Sequence, residues 1–157
     1  MSEVLILIGS ASDRTKMEGA LTRLRESGVS HELQVLSAHR DPELLDARLA
    51  RLDEDGVEVV ICAAGMAAHL AGAVAARSVR PVIGVPLSGS ALSGWDALLS
   101  TVQMPRGVPV ATVGVDQAEN AAVLAVQILA VRSAERRAAL LAARQAERTR
   151  RAAASGL

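Results

Sequence analysis

The run Val4-Leu5-Ile6-Leu7-Ile8, followed by Gly9-Ser10-Ala11-Ser12-Asp13, decides the fold. Five apolar residues without alternation fit a strand covered on both faces, as in a parallel sheet, and Gly9 ends it. Downstream, Asp13–Ser27 predicts a helix with Met17, Ala20, Leu21 and Leu24 on one face and Gly28 as its stop. Glu32–Leu36 is a second strand. Pro42 suits the first turn of a helix running to about Glu54, with Leu44, Leu45, Leu49 and Leu52 as its apolar set. Further strands are expected over Val57–Ala63, Val82–Val85 and Val110–Val115, and further helices over Ala67–Ala76, Trp95–Gln103 and Ala118–Val131.

Strands alternating with helices across short turns imply crossover units. The expected fold class is a three-layer α/β/α domain with a five-stranded parallel sheet in the flavodoxin-like order 2-1-3-4-5, its strands nearly all apolar on both faces. Residues 1–131 form the α/β catalytic domain. Residues 132–157 form an Ala- and Arg-rich helical tail whose only large apolar residues before its end are Leu140 and Leu141. So thin an apolar face packs weakly on its own domain, and a neighbouring subunit is expected to supply the missing surface.

Of the 157 residues 50% are apolar, yet Trp95 is the only aromatic among Phe, Tyr and Trp. The core is therefore built from Val, Leu, Ile, Ala and Met, and a stacking platform for single-stranded nucleic acid is excluded. The tail holds seven of the 17 basic residues and two of the 17 acidic ones, so zero net charge hides an uneven distribution. A solvated or subunit-docking helix accounts for this better than nucleic-acid binding. Cys62 is the sole cysteine and lies in an apolar run, which reads as a buried inert thiol. No stretch resembles a signal peptide or approaches the ~20 apolar residues of a membrane span, so a cytoplasmic protein is expected.

In open α/β sheets ligands bind beyond the carboxyl ends of the strands. After strand 1, Gly9-Ser10-Ala11-Ser12-Asp13 offers hydroxyls and a helix N-terminus for an anion, although for so short a pattern read alone plain N-capping by Ser12 or Asp13 is the favoured reading. After strand 2, Ser37-Ala38-His39-Arg40-Asp41-Pro42 pairs a group that exchanges protons near neutral pH with a guanidinium able to grip phosphate. A solvated surface pair is as good a reading of those two residues alone. After strand 3, Gly65-Met66-Ala67-Ala68-His69-Leu70 brings small residues that let backbone approach a ligand. Met66 there reads as packing and His69 as a satisfied helix histidine. After strand 4, Pro86–Gly94 is a Ser/Gly loop suited to a lid or to an ordinary connector. His31 reads as an exposed structural residue, and the three histidines show no metal spacing.

Taken together, Gly9-Ser-x-Ser-Asp13, Ser37-Ala-His-Arg-x-Pro42, Ala67-Ala-His-Leu-x-Gly72, Pro81-Val-Ile-Gly-Val-Pro86, Leu98-Leu-Ser-x-Val-Gln-Met-Pro105 and Gly107-Val-Pro-Val-Ala-Thr112 resemble the N5-carboxyaminoimidazole ribonucleotide mutases, the PurE proteins of purine biosynthesis. The resemblance runs in order from about residue 4 to residue 130. It implies an isomerase that moves a carboxylate from N5 to C4 of the imidazole ribonucleotide without metal, ATP or redox cofactor. It implies His39 as the acid/base. It assigns Ser10, Ser12 and Asp13 to the ribose and phosphate, Arg40 to the phosphate, Gly65, Ala67, His69 and Leu70 to the base and carboxylate, and Ser37 and Ala38 to the same pocket. It also implies a homo-octamer, with no nucleic-acid or membrane partner. Arg14, Asp41, Met66, Ala71 and Trp95 depart from the family pattern. The competing readings are a carboxylase of aminoimidazole ribonucleotide using CO2 directly, a non-catalytic nucleotide-binding protein on the same scaffold, and a nucleic-acid binder using the tail.

Overall fold

A computed structural model of the chain describes residues 1–155. Its strands are β1 (Val4–Ile8), β2 (His31–Val35), β3 (Val59–Gly65), β4 (Val82–Leu87) and β5 (Ala111–Thr112), all parallel in the order β2-β1-β3-β4-β5. The helices are α1 (Glu18–Glu26), α2 (Pro42–Leu49), α3 (Leu70–Ala75), α4 (Trp95–Val102), α5 (Ala118–Ala130) and α6 (Ala134–Ala154).

Alternation within each strand builds two apolar layers from one sheet. Val4, Ile6 and Ile8, with Val59, Ile61, Ile83 and Val85, meet Met17, Ala20 and Leu24 of the first crossover and Ala121, Ala122, Ala125 and Leu129 of α5. Leu5 and Leu7, with Val60, Cys62 and Val82, meet Leu45 and Leu49 of α2 and Leu70, Ala73 and Val74 of α3. β1 and β4 are buried along their whole length and β3 over Val59–Ala63. The expectation of five doubly apolar strands is corrected at both edges. β2 is half-buried, and its Glu32 and Gln34 bind the Arg48 guanidinium (3.2 and 3.1 Å), which Asp55 also accepts from at 2.9 Å. That buried cation is thereby paired on three sides. β5 pairs over two residues only, because Pro109 supplies no N–H and Asp116, at φ 57°, turns the chain back to donate its own N–H to Pro86 O.

Local geometry also shifts several ends. The helix expected from Asp13 opens as a 3-10 segment, Ala11–Met17, before α1: the Asp13 N–H bonds Ser10 O, and Ser10 rather than Ser12 or Asp13 caps the segment. α3 begins at Leu70, three residues later than expected, because Met66 lies in the left-handed region at φ 56°. α2 ends at Leu49, and turns carry the chain to Gly56 at φ 72°. His31 is half-buried within β2 rather than exposed before it, with its Nδ1 2.8 Å from Val29 O. α6 buries none of its residues, although Leu140 touches the α1/α5 layer and Arg136 pairs with Glu3 at 2.7 Å.

Gly84 in β4 faces α3 and α4, where Thr101 and Val110 fill the space that a side chain would take. A Cβ there would overlap Thr101 Cγ2 and lie 2.9 Å from Val110 Cγ1. Gly84→Ala is therefore expected to lower stability by about 1–3 kcal/mol, the usual cost of overpacking a core, seen as a lower urea midpoint.

Candidate functional site

Because the five strands are parallel, their carboxyl ends share one edge of the sheet, and the turns leaving β1, β2, β3 and β4 meet there. They enclose a cavity of about 710 Å³ lined by Gly9, Ser10, Ser12, Asp13, Lys16, Ser37, Ala38, His39, Arg40, Gly65, Met66, Ala67, His69, Leu70, Ser88, Gly89 and Ser90, with Ala64 at its base. Every residue proposed for the site from the sequence lies on this one lining.

The β1 turn is held by its own hydroxyls. Ser10, in extended backbone, accepts from Ser12 N at 3.4 Å, and the two Oγ atoms are 2.8 Å apart. Asp13 is half-buried, and that burial raises its carboxyl above the usual carboxylate range against the opposing pull of the Ser10 N–H and Lys16. The β2 turn closes on Ser37, which is buried: its carbonyl accepts from Asp41 N at 2.8 Å and its Oγ from Arg40 N at 3.3 Å. His39 is thereby carried at the exposed tip of a tight turn. The Arg40 guanidinium donates to Gly9 O at 2.9 Å and so binds the second turn to the first.

The β3 turn passes through Met66, whose positive φ is uncommon for a long side chain. Met66 is 66% exposed and lines the cavity, which corrects its expected role in packing. Gly65 is required by closeness: a Cβ there would lie 3.3 Å from Leu87 O. His69, at the start of α3, makes no capping bond. Its ring lies 4.8 Å from that of His39, centroid to centroid, at 34°. It is therefore not a satisfied helix histidine but one of a pair facing the cavity. Desolvation first, then the charges of His39 and Arg77, push its pKa below the ordinary histidine value. Two imidazoles so close disfavour double protonation, so one neutral ring can accept a proton while its neighbour donates one.

The fourth wall was only partly legible in the sequence. Ser88, Gly89 and Ser90 belong to the loop flagged after β4, but Lys16 stood inside a predicted helix with nothing to mark it. Its ammonium donates to Ser88 O (2.6 Å), Ser88 Oγ (2.8 Å) and Asp116 Oδ1 (3.2 Å). Asp116 also accepts from Ser88 N at 3.0 Å and from the Ser88 hydroxyl. Partial burial works against its ionisation, but these hydrogen bonds and Lys16 outweigh it and hold Asp116 below the usual carboxylate range. Cys62 is buried in the apolar layer between β3 and helices α2 and α3, which pushes its thiol far up and leaves it inert. Among the described residues no group of three His, Cys, Asp or Glu side chains is placed to hold a metal ion.

The histidine pair yields a direct test. By NMR the His69 imidazole is expected to titrate below 6.5, and His39→Asn to move that midpoint upward while leaving it short of the free value, since desolvation remains.

Comparison with known proteins adds a second line. The family model described as AIR carboxylase matches residues 3–150. A protein of Pyrococcus abyssi named N5-carboxyaminoimidazole ribonucleotide mutase is 50% identical over 135 residues, covering 86% of this chain and 78% of that protein. A protein of Vigna aconitifolia named phosphoribosylaminoimidazole carboxylase, chloroplastic, is 50% identical over 125 residues, which cover 80% of this chain and 22% of that longer protein. The crystal structure of Treponema denticola PurE superposes with a TM-score of 0.86 at 26% identity, covering 94% of this chain and 92% of that one.

Proposed function

The chain belongs to the AIR carboxylase family, and on that premise we propose that it is an N5-carboxyaminoimidazole ribonucleotide mutase of purine biosynthesis. The observation that carries this reading is the shared cavity: an acid/base pair, His39 and His69, on the same lining as a guanidinium, Arg40, and the hydroxyls of Ser10 and Ser12. A phosphorylated ribonucleotide needs both at once.

In this reading the phosphate and ribose lie along the β1 and β2 turns. Arg40, Ser10 and Ser12 grip the phosphate oxygens, and Asp13 accepts from ribose hydroxyls. The imidazole base lies over Gly65, Ala67 and Leu70, whose small or apolar side chains admit a flat ring, with Ser37 and Ala38 closing the wall. The substrate carbamate loses CO2 as its N–C bond breaks, and protonated His39 gives its proton to the departing nitrogen. CO2 stays in the pocket while C4 of the ring attacks it and a new C–C bond forms. C4 must then lose its hydrogen as a proton, which neutral His39 accepts, and the imidazolium is restored. One group therefore serves both halves, and His69 lies beside it with its ring centroid 4.8 Å away. Atoms balance without a co-reactant, because the carboxylate that leaves nitrogen is the one that arrives at carbon.

The finer features of the reading rest on general support. A homo-octamer accords with an α6 that buries none of its own residues and with Leu92, Trp95, Leu99 and Val102 exposed along one side of α4 and the turn before it. Residues 1–131 serve as the catalytic domain and residues 132–157 as a tail for a neighbouring subunit. A cytoplasmic location accords with the reaction; no helix of the described residues is long and apolar enough to cross a membrane.

The decisive experiment incubates the protein with N5-carboxyaminoimidazole ribonucleotide and follows the C4-carboxylated product with and without added bicarbonate. Formation at equal rate in both is expected; product that appears only from aminoimidazole ribonucleotide plus bicarbonate would identify a direct carboxylase. His39→Asn should retain ligand binding and lose turnover by roughly 10²–10⁴-fold, the usual share of a positioned acid/base. Undiminished turnover in that variant would remove His39 from the chemistry.

A further inference from the structure

The Ser88-Gly89-Ser90 turn forms part of the cavity lining, yet its own sequence gives it little stiffness. Gly89 has φ 120°, a conformation that side chains rarely adopt, so no Cβ at its centre can pack to hold it. The turn is instead fastened at its two ends. At the far end, the Ser90 hydroxyl donates to Asp96 of α4 at 2.9 Å and accepts from Leu92 N at 3.1 Å. At the near end, Ser88 is enclosed by Lys16 and Asp116, which come from the segments that follow β1 and β5. Residues 16, 88 and 116 are thus brought together from the segments that follow three different strands, β1, β4 and β5.

An ammonium has three hydrogens to donate and no acceptor. All three of Lys16's are matched by Ser88 O, Ser88 Oγ and Asp116 Oδ1, so none is left over for a ligand. Asp116 beside it offsets part of its charge, which Asp13 also feels. What it does control is the location of the Ser88 carbonyl and hence of the turn. The turn in turn abuts the segment assigned to the base: a Cβ at Gly65 would lie 3.3 Å from Leu87 O and 3.9 Å from Ser88 O. A shift of Ser88 by a fraction of an ångström would therefore change the width of the slot over Gly65.

We infer that Lys16 is a positioning residue that, together with Asp116, latches the Ser88–Ser90 turn against the Gly65 segment and so sets the fit of the ribonucleotide without touching it. The inference rests on the mutase reading for its substrate, but the latch itself does not depend on that reading. Two measurements separate them. In ligand-free protein, Lys16→Met should speed amide hydrogen exchange at Gly89 and Ser90 relative to wild type; unchanged exchange would overturn the latch whatever the enzyme does. With N5-carboxyaminoimidazole ribonucleotide, Lys16→Met should raise KM about tenfold, the effect of losing a charge-assisted hydrogen bond, and leave kcat little changed. Lys16→Arg should recover much of the loss. Asp116→Asn should raise KM as well, and the double variant should be no worse than the poorer single one, because both act through Ser88. A KM that is unmoved in Lys16→Met, or one that falls in Asp116→Asn because a freed ammonium now reaches the substrate, would overturn the inference. Wild-type protein without turnover would sink the mutase reading, while the exchange data would still judge the latch.

Discussion

Parallel pairing of β2, β1, β3 and β4 is the constraint on which the site depends. In the register that joins Ile8 to Val35 and to Ala63, and Gly65 to Leu87, the four chains leave the sheet side by side. Adjacent strands lie ~4.8 Å apart, so turns departing from neighbouring strands are within reach of one another's side chains. Arg40 uses that proximity when it donates to Gly9 O, while His39 and His69 meet across the end of β1, which lies between their strands. Two of these turns are tied to the first by hydrogen bonds, from Arg40 to Gly9 O and from Lys16 to Ser88.

The central strands bear the cost of that arrangement. β1 and β4 are apolar throughout, and the near-absence of aromatic residues leaves small aliphatic side chains to fill both layers. Alanines of α5 approach the sheet closely, and Gly84 makes room for Thr101 and Val110. A dense, rigid platform follows from such packing. Thr101, whose hydroxyl donates to Ala97 O, is buried against Gly84, and two cations at the rim are held on several sides: Arg48 among Glu32, Gln34 and Asp55 at the amino end of the sheet, Lys16 between Ser88 and Asp116 at the carboxyl end. The reactive edge is where small residues and strained backbone gather, with Met66, Ser93 and Asp116 all at positive φ near the cavity or its flanking loops. Strain of that kind persists only where surrounding structure holds it.

The strand cores and the sheet order were legible from residue types, because a doubly buried strand admits only apolar residues and a crossover admits only one hand. The turns were legible as chemistry but not as geometry. Ser10, His39, Arg40 and His69 stand out by type, while the pairing of His39 with His69 depends on a distance between residues 30 apart in the chain. Edge features were misjudged for a related reason. β5 looks like a strand of six residues, yet Pro109 and the turn at Asp116 leave it two. Met66 looks like packing, but the backbone at φ 56° turns it outward.

From its own residues, then, the chain settled an α/β domain with parallel strands, an aliphatic core, and a histidine beside an arginine in the turn after the second strand. Those properties are local: they follow from apolar runs, helix periodicity and the chemistry of adjacent side chains. Tertiary structure alone decided that Lys16 meets Ser88 and Asp116, that His69 faces His39, and that four turns enclose one cavity. The paired contacts among those span 30 to 100 residues of sequence, and no local propensity encodes which distant side chain will fill the third hydrogen bond of an ammonium.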